Sequence, residues 1–539
     1  MPSQPAIAIA IANANAAIAI EPSMTNSNLF CGLRAAFPAD LDQVAIDVAD
    51  GPTAGAAYTW RDLERGTAML ANLLASLNLP ADSRVAVQTE KSVEALMLYL
   101  AVLRAGLVFL PLNTAYQAAE IEYFIGNAQP AVVVCAPKNF AAVSRIAFTA
   151  GTAHVFTLGE ARDGTLTDRA AHCSDQHAPA VKRGDDLAAI LYTSGTTGRS
   201  KGAMLTHGNL LSNAQTLKNH WDWQPDDVLI HALPIFHVHG LFVASHGALL
   251  NASKMIWFGK FDPRAVIARM QEATVMMGVP TLYVRMLAEA ALARQAVQTM
   301  RLFISGSAPL LVETFDAWIE RTGHTLLERY GMSETVMLTS NPCRAADGDR
   351  RRGTVGPALP GVSLRVMDDA GAPCPAGSIG HIQVRGPNVF AGYWQMPEKT
   401  KEEFATDAQG QAWFKTGDVG WVGADGYVTI VGRSKDLIIS GGFNVYPAEV
   451  EGFVNDMAGV AESAVIGVPH PDFGEAVVAV VVARPGATID PAAMLAQLKT
   501  RIANFKVPKH LFVVADLPRN AMGKVQKNLL RDQHRGLFS

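Results

Sequence analysis
Cysteine is scarce in this 539-residue chain: Cys31, Cys135, Cys173, Cys343 and Cys374 are its five, scattered and without a CxxC pair. That excludes a zinc cluster or a disulfide framework and fits a reducing compartment. Long apolar runs are missing too. The most apolar region, Ala95 to Leu112, is cut by Arg104 and Gly106, so it reads as a buried helix followed by a strand rather than a membrane span. Neither sign of charge dominates. A formal net charge of −4 with 17% charged residues gives nucleic acid and acidic membranes no reason to bind. Early positive charge is absent, Arg34 being the first basic residue, so no signal or transit peptide is read and a cytoplasmic location is expected. The low-complexity "AIAIAIANANAAIAI" (Ala6 to Ile20) makes residues 1–23 an expected disordered, dispensable extension, with the folded chain opening at Met24.

What is present is an alternation of helical and strand patterns. "WRDLERGTAMLANLLASL" predicts a helix, "SRVAVQT" a strand, "SVEALMLYLAVLRAG" a helix and "VFLPL" a strand. The same texture returns in "LAAILYT", "DVLIHAL", "ATVMMGV" and "RLFISG", each followed by a Gly-, Ser-, Pro- or His-containing loop. Strands alternating with helices imply parallel, covered sheets with ligands at the strand ends. After Gly356, "GVSLRVMD", "GHIQVRG" and "GYVTIVG" predict a smaller β subdomain, and beyond Lys435 a compact α+β pattern follows. The expected fold class is α/β: a large N-terminal domain over residues 24–434, and a small mobile α+β C-terminal domain over 435–539.

"TSGTTGRSKG" (Thr193 to Gly202) follows an apolar strand. Its glycines free backbone N–H groups to face an anion, its hydroxyls add donors, and Arg199 and Lys201 add charge. A Walker loop would need GxxxxGK[ST]; here Ser200 precedes Lys201 and Gly202 follows it, so that reading fails. Four further segments occur in order: "ERYGMSET" (Glu328 to Thr335), "FKTGDVG" (Phe414 to Gly420), "GRSKDLIISGGFNVYPAEVE" (Gly432 to Glu451) and "PRNAMGK" (Pro518 to Lys524). Together the five motifs resemble the adenylate-forming acyl-CoA synthetases, from about residue 27 to the end.

The resemblance implies two half-reactions. A carboxylate and ATP give acyl-AMP and pyrophosphate; a thiol of coenzyme A then displaces AMP. Two anions must meet at the α-phosphate, so cations and oriented donors are needed there. By resemblance, Thr193, Ser194, Gly195, Thr196, Thr197, Gly198 and Lys201 hold the outer phosphates, and Glu334 coordinates Mg²⁺, which prefers oxygen ligands. Tyr330 and Gly331 face adenine, Asp418 takes the ribose hydroxyls, and Arg433 stands beside it. Lys524 is the catalytic lysine that bridges carboxylate and α-phosphate. Lys435 is the hinge about which the C-terminal domain turns, Ser440, Gly441 and Gly442 line the pantetheine tunnel, and His237 lies between the acid and thiol pockets. Acylation of Lys524 by a lysine acyltransferase would remove its charge and silence the enzyme.

For the acid, "TEKSVEALMLYLAVLRAG", "FLPLNTAY", "VPTLYVR", "FISGSAPL" and "ERYGMSET" are similar to malonyl-CoA synthetases. In that group the arginine and the second serine of "SGS", here Arg285 and Ser307, hold the distal carboxylate. Arg285 is expected near the start of a helix that disfavours cations, either gripping a substrate carboxylate or pairing with Glu289 four residues on. The expected substrates are malonate, then methylmalonate, with ATP and CoA. Another short or aryl acid is the nearest alternative, with Arg285 spent on Glu289. An amino-acid adenylation module lacks support because no Asp follows the aromatic near "IFHVHG"; a non-catalytic scaffold is disfavoured because Lys524 and Glu334 are retained.

Overall fold
The computed structural model describes residues 26–193, 200–441, 443–520 and 523–538. Two large sheets carry the N-terminal part. One has eight strands, and its six inner ones (326–330, 302–305, 275–278, 228–231, 254–257 and 44–48) run parallel. The other has seven, with 187–193, 108–111, 84–88, 132–135 and 154–157 parallel.

Helix Val93–Arg104 has every residue buried, which explains why its sequence shows no polar stripe. Its last residue, Arg104, is only 4% exposed. It is compensated by Glu64 at 2.9 Å, Thr67 at 3.0 Å and two backbone carbonyls, as a buried cation requires. Helix Trp60–Ser76 begins with a capping box between Thr59 and Asp62.

The α/β expectation holds. Strand Leu187–Thr193 is followed by Lys201–Thr206 paired to it antiparallel, Thr193 opposite Lys201. These two strands make a β-hairpin with Thr193 and Lys201 at its root. The chain reaches a helix only at His207–His220, capped reciprocally by Thr206 and Asn209.

A five-stranded antiparallel sheet (363–367, 380–385, 404–406, 412–422, 428–433) follows. The final five-stranded sheet uses residues 438–440, 443–445, 460–470, 474–483 and 510–514, flanked by helices Pro447–Asn455, Pro491–Arg501 and Lys527–His534. Among the described residues no helix is long and apolar enough to cross a membrane.

Candidate active site
The nucleotide motifs converge although they come from different sheets. Strand Leu326–Tyr330 delivers Tyr330, and Ala412–Val422 pairs with Val428–Arg433 so that Asp418 sits opposite Arg433. Asp418 is 4% exposed. Arg433 Nε donates to its Oδ1 at 2.8 Å, and the Tyr330 hydroxyl donates to its Oδ2. Arg433 also donates to the Thr416 carbonyl at 3.0 Å. Gly331 is obligatory, because a Cβ there would lie 1.9 Å from the Val336 carbonyl oxygen.

Lys201 stands at the root of the hairpin. Its Nζ lies 3.3 Å from Glu403 and 4.3 Å from the centre of the Tyr393 ring. Glu403 also takes Lys399 at 3.1 Å. Tyr393 links this lysine to Glu334, donating its hydroxyl to Glu334 Oε1 at 2.9 Å. Burial raises the pKa of Glu334, and that hydrogen bond opposes the rise. Thr193 is at the other side of the hairpin root; Ser194, Gly195, Thr196, Thr197 and Gly198 lie outside the described residues, as do Gly442 and residues 1–23.

Lys524 is brought to the same cleft by the loop after Pro518. Lys524 N–H donates to Asn520 Oδ1 at 3.0 Å, its carbonyl accepts from Asn520 N–H at 2.9 Å, and Arg519 donates to the Gly523 carbonyl at 2.7 Å. Gly523 has φ +74° and would place a Cβ 3.0 Å from Thr281 Oγ1, so the loop docks on the start of helix Pro280–Leu287. Water still reaches Lys524 and Lys435. The cleft walls nevertheless remove enough solvent to lower both ammonium pKa values, Lys435 to about 8, and the Arg433 charge adds to both shifts. Beyond Lys435, Ser440 is buried and Gly441 takes φ +58°, its N–H donating to the Phe473 carbonyl at 2.9 Å.

His237 accepts at Nδ1 from the His239 backbone N–H at 3.2 Å, which assigns its ring proton to Nε2. Burial, then the Arg329 and Lys524 charges, push its pKa down to about 4. It is therefore a neutral donor at physiological pH.

The acid end departs from expectation. Helix Pro280–Leu287 has only eight residues, and Arg285 lies in its last turn, where the helix dipole favours a cation. Glu289 is taken by Arg264 at 2.8 Å, so neither the dipole argument nor the same-helix pair survives. Arg285 lies 4.9 Å over the Phe261 ring, makes no ion pair among the described residues, and lines a cavity of about 520 Å³ with Lys91, Phe236, Thr281, Asn520 and Gly523. Ser307 is not on that wall. It has φ +71° and lies with its Oγ 3.3 Å from His239 Nδ1.

The sequence reading missed Arg329, the second residue of "ERYGMSET". It is 2% exposed, and its Nε and Nη2 have no hydrogen-bond partner. A Cβ on Gly306 would lie 2.6 Å from its guanidinium carbon, so Arg329 packs directly against the "SGS" turn. Burial pushes its pKa down, to about 9, leaving it charged at neutral pH. Ser305 Oγ, His239 Nε2, Glu328 Oε2 and Thr335 Oγ1 are also buried without partners. The available signal was a charged residue inside the apolar strand "LLERY".

Comparison with known proteins agrees with this geometry. Residues 35–394 match the model of the AMP-binding enzyme family, and 449–524 that of the AMP-binding enzyme C-terminal domain. The crystal structure of ATP-bound MatB from Rhodopseudomonas palustris is 54% identical, covers 95% of this chain and 100% of its own, and superposes with a TM-score of 0.91. The apo crystal structure of that protein, with the same identity and coverage, gives 0.80. A feruloyl-CoA synthase from an Amycolatopsis species is 35% identical over 88% of this chain and 94% of its own. A malonate–CoA ligase from Arabidopsis thaliana is 34% identical over 83% and 78%.

Proposed function
The chain belongs to the AMP-binding enzyme family, an adenylate-forming acid–thiol ligase, and from that premise we propose that it joins malonate to coenzyme A through malonyl-AMP. The curated feruloyl and malonate ligases are almost equally similar to it, whereas MatB, at 54% identity over 95% of the chain, is much more similar and supports malonate. The structural observation that supports malonate is Arg329, a buried guanidinium with two unpartnered nitrogens against the Ser307 turn. A buried charge without a counter-ion is costly. The second carboxylate of a short diacid supplies one, whereas acetate, propionate or ferulate leaves it unmatched. Arg285, on the cavity wall, adds a second positive charge at the acid end. Methylmalonate is the expected secondary substrate.

In the first half-reaction a malonate oxygen attacks the α-phosphorus, and the bond to pyrophosphate breaks. Lys524 holds the reacting oxygens together and offsets their charge. The agreement with the ATP-bound relative, greater than with its apo form, supports this placement of the lysine loop. Lys201 exchanges Glu403 for the outer phosphates, assisted by Thr193 and the loop beyond it. Asp418, already oriented by Tyr330 and Arg433, takes the ribose hydroxyls. Glu334 keeps Oε2 free of the Tyr393 bond, and no group of three metal-ligating side chains exists among the described residues. Glu334 would hold Mg²⁺, which prefers oxygen ligands; bound there, it would neutralise phosphate charge.

In the second half-reaction the C-terminal domain turns about Lys435, Lys524 withdraws, and Ser440 and Gly441 with their neighbour Gly442 line the path of the thiol. The sulfur attacks the acyl carbon and AMP leaves. His237, a neutral Nε2–H donor, stands between the two pockets and steadies the acyl oxygen. The charge on Lys524 is also what lysine acylation would cancel.

The deciding measurement is CoA-dependent AMP formation with malonate, methylmalonate, succinate, acetate, propionate, octanoate, benzoate and ferulate. Malonate is expected to give the highest kcat/KM, by about a hundredfold or more over propionate. A monocarboxylate at the head of the series would leave the ligase chemistry standing and overturn the acid.

A further inference from the structure
The second histidine of "FHVHG" has no place in the chemistry above, yet it is fully buried and contacts Ser307. His239 opens a π-helical turn, His239–Ser245, in which every residue is buried. Such turns recur at functional sites because they displace a side chain from the regular helical row. Within it only glycine fits at position 240, since a Cβ there would lie 2.1 Å from the Pro234 carbonyl oxygen. Opposite it, Ser307 holds φ +71°, a left-handed backbone that a non-glycine residue adopts at a cost. The outcome of both constraints is one contact, Ser307 Oγ to His239 Nδ1 at 3.3 Å. His239 Nε2 has no partner.

We infer that His239 is a positioning residue for acid specificity: its Nδ1–H donates to Ser307 Oγ and so turns the serine's own hydrogen toward the second carboxylate. The logic is one of hydrogen supply. A carboxylate only accepts, and the serine hydroxyl has one hydrogen. If Nδ1 accepted that hydrogen, Ser307 would present lone pairs to an anion. Only the Nδ1–H tautomer lets the serine serve the substrate. His239 must also remain uncharged so that the tautomer is defined; burial and the nearby Arg329 charge hold its pKa well below the ordinary value. This inference rests on the proposal that Ser307 faces a second carboxylate.

The test uses the full-length enzyme with malonate and propionate as substrates. Asn places a donor near the Nδ1 position, whereas Gln places its amide near Nε2, so His239→Asn should keep malonate KM within about twofold and His239→Gln should raise it about tenfold. KM for propionate and ATP should stay unchanged in both. Adding His239→Gln to Ser307→Ala should change nothing further. Equal losses with malonate and propionate, or additive losses in the double variant, would overturn the inference while leaving Ser307 in its role. An unchanged malonate KM in Ser307→Ala would instead remove the parent proposal, and this one with it. Should the Gln variant not fold, ¹⁵N-histidine spectra of the wild type decide: a protonated His239 Nδ1 with malonate bound is expected, and a protonated Nε2 overturns it.

Discussion

The nucleotide end of the cleft and its acid end are built on opposite terms. At the nucleotide end the charges of Asp418, Arg433 and Lys201 already have partners: Asp418 holds Arg433 and Tyr330, and Lys201 holds Glu403. At the acid end Arg329, Ser305 and His239 carry buried polar atoms with none. The first arrangement is preorganised, so ATP enters by exchanging partners and little reorganises. The second is a deficit that only the right anion removes. Binding ATP is common to the family, while the choice of acid distinguishes its members, and on the proposed reading the deficit is what makes that choice.

The largest effect is expected where the two ends meet. Lys524→Ala should lower pyrophosphate release from ATP and malonate about a hundredfold or more, yet leave thioester formation from supplied malonyl-AMP within a few-fold. Equal losses in the two assays would mean that the loop merely supports the fold.

A smaller effect should come from the acid end alone. Arg329→Leu should raise malonate KM roughly tenfold to a hundredfold and spare KM for ATP. Arg285→Ala, on the open wall, should cost less. Removing an unpaired buried charge should also raise the melting temperature of the ligand-free protein. A reversed order between the two arginines would move the anion site to the cavity wall. A lowered melting temperature would mean that Arg329 has a structural counter-ion.

The remaining expected effect falls outside catalysis, on stability against pH. Burial depresses His207 and His237 to about 4 and His246 to about 3, from an ordinary 6.5. Their unfolded forms bind protons that the folded forms refuse, so acid favours unfolding. Their contribution to stability is complete above about pH 6.5 and is lost as pH falls toward 4. Thermal midpoints measured from pH 7.5 to 4.5 should therefore decline below about 6.5. A flat profile would show these rings to be solvated. Two of the three lie in or beside the "FHVHG" segment, so acid should loosen the acid end first.

The nucleotide end was legible because its residues fall in short contiguous motifs: "GDVG" carries Asp418 and "GRSK" carries both Arg433 and Lys435. The strand "LLERY" advertised Tyr330 by its motif and hid Arg329 in the same five letters, since a charge in an apolar run reads equally as a surface residue. Arg285 shows the opposite error. Its letters suggested a cation early in a helix, but Leu287 ends that helix after eight residues, and Arg264 arrives from another helix to claim Glu289.

The sequence by itself determined the fold class and the reaction class, because the motifs that carry them are short and contiguous. Which charges are left without partners was decided only by the tertiary structure. Pairing depends on what distant segments bring within hydrogen-bond reach, and on how completely they exclude water from what remains.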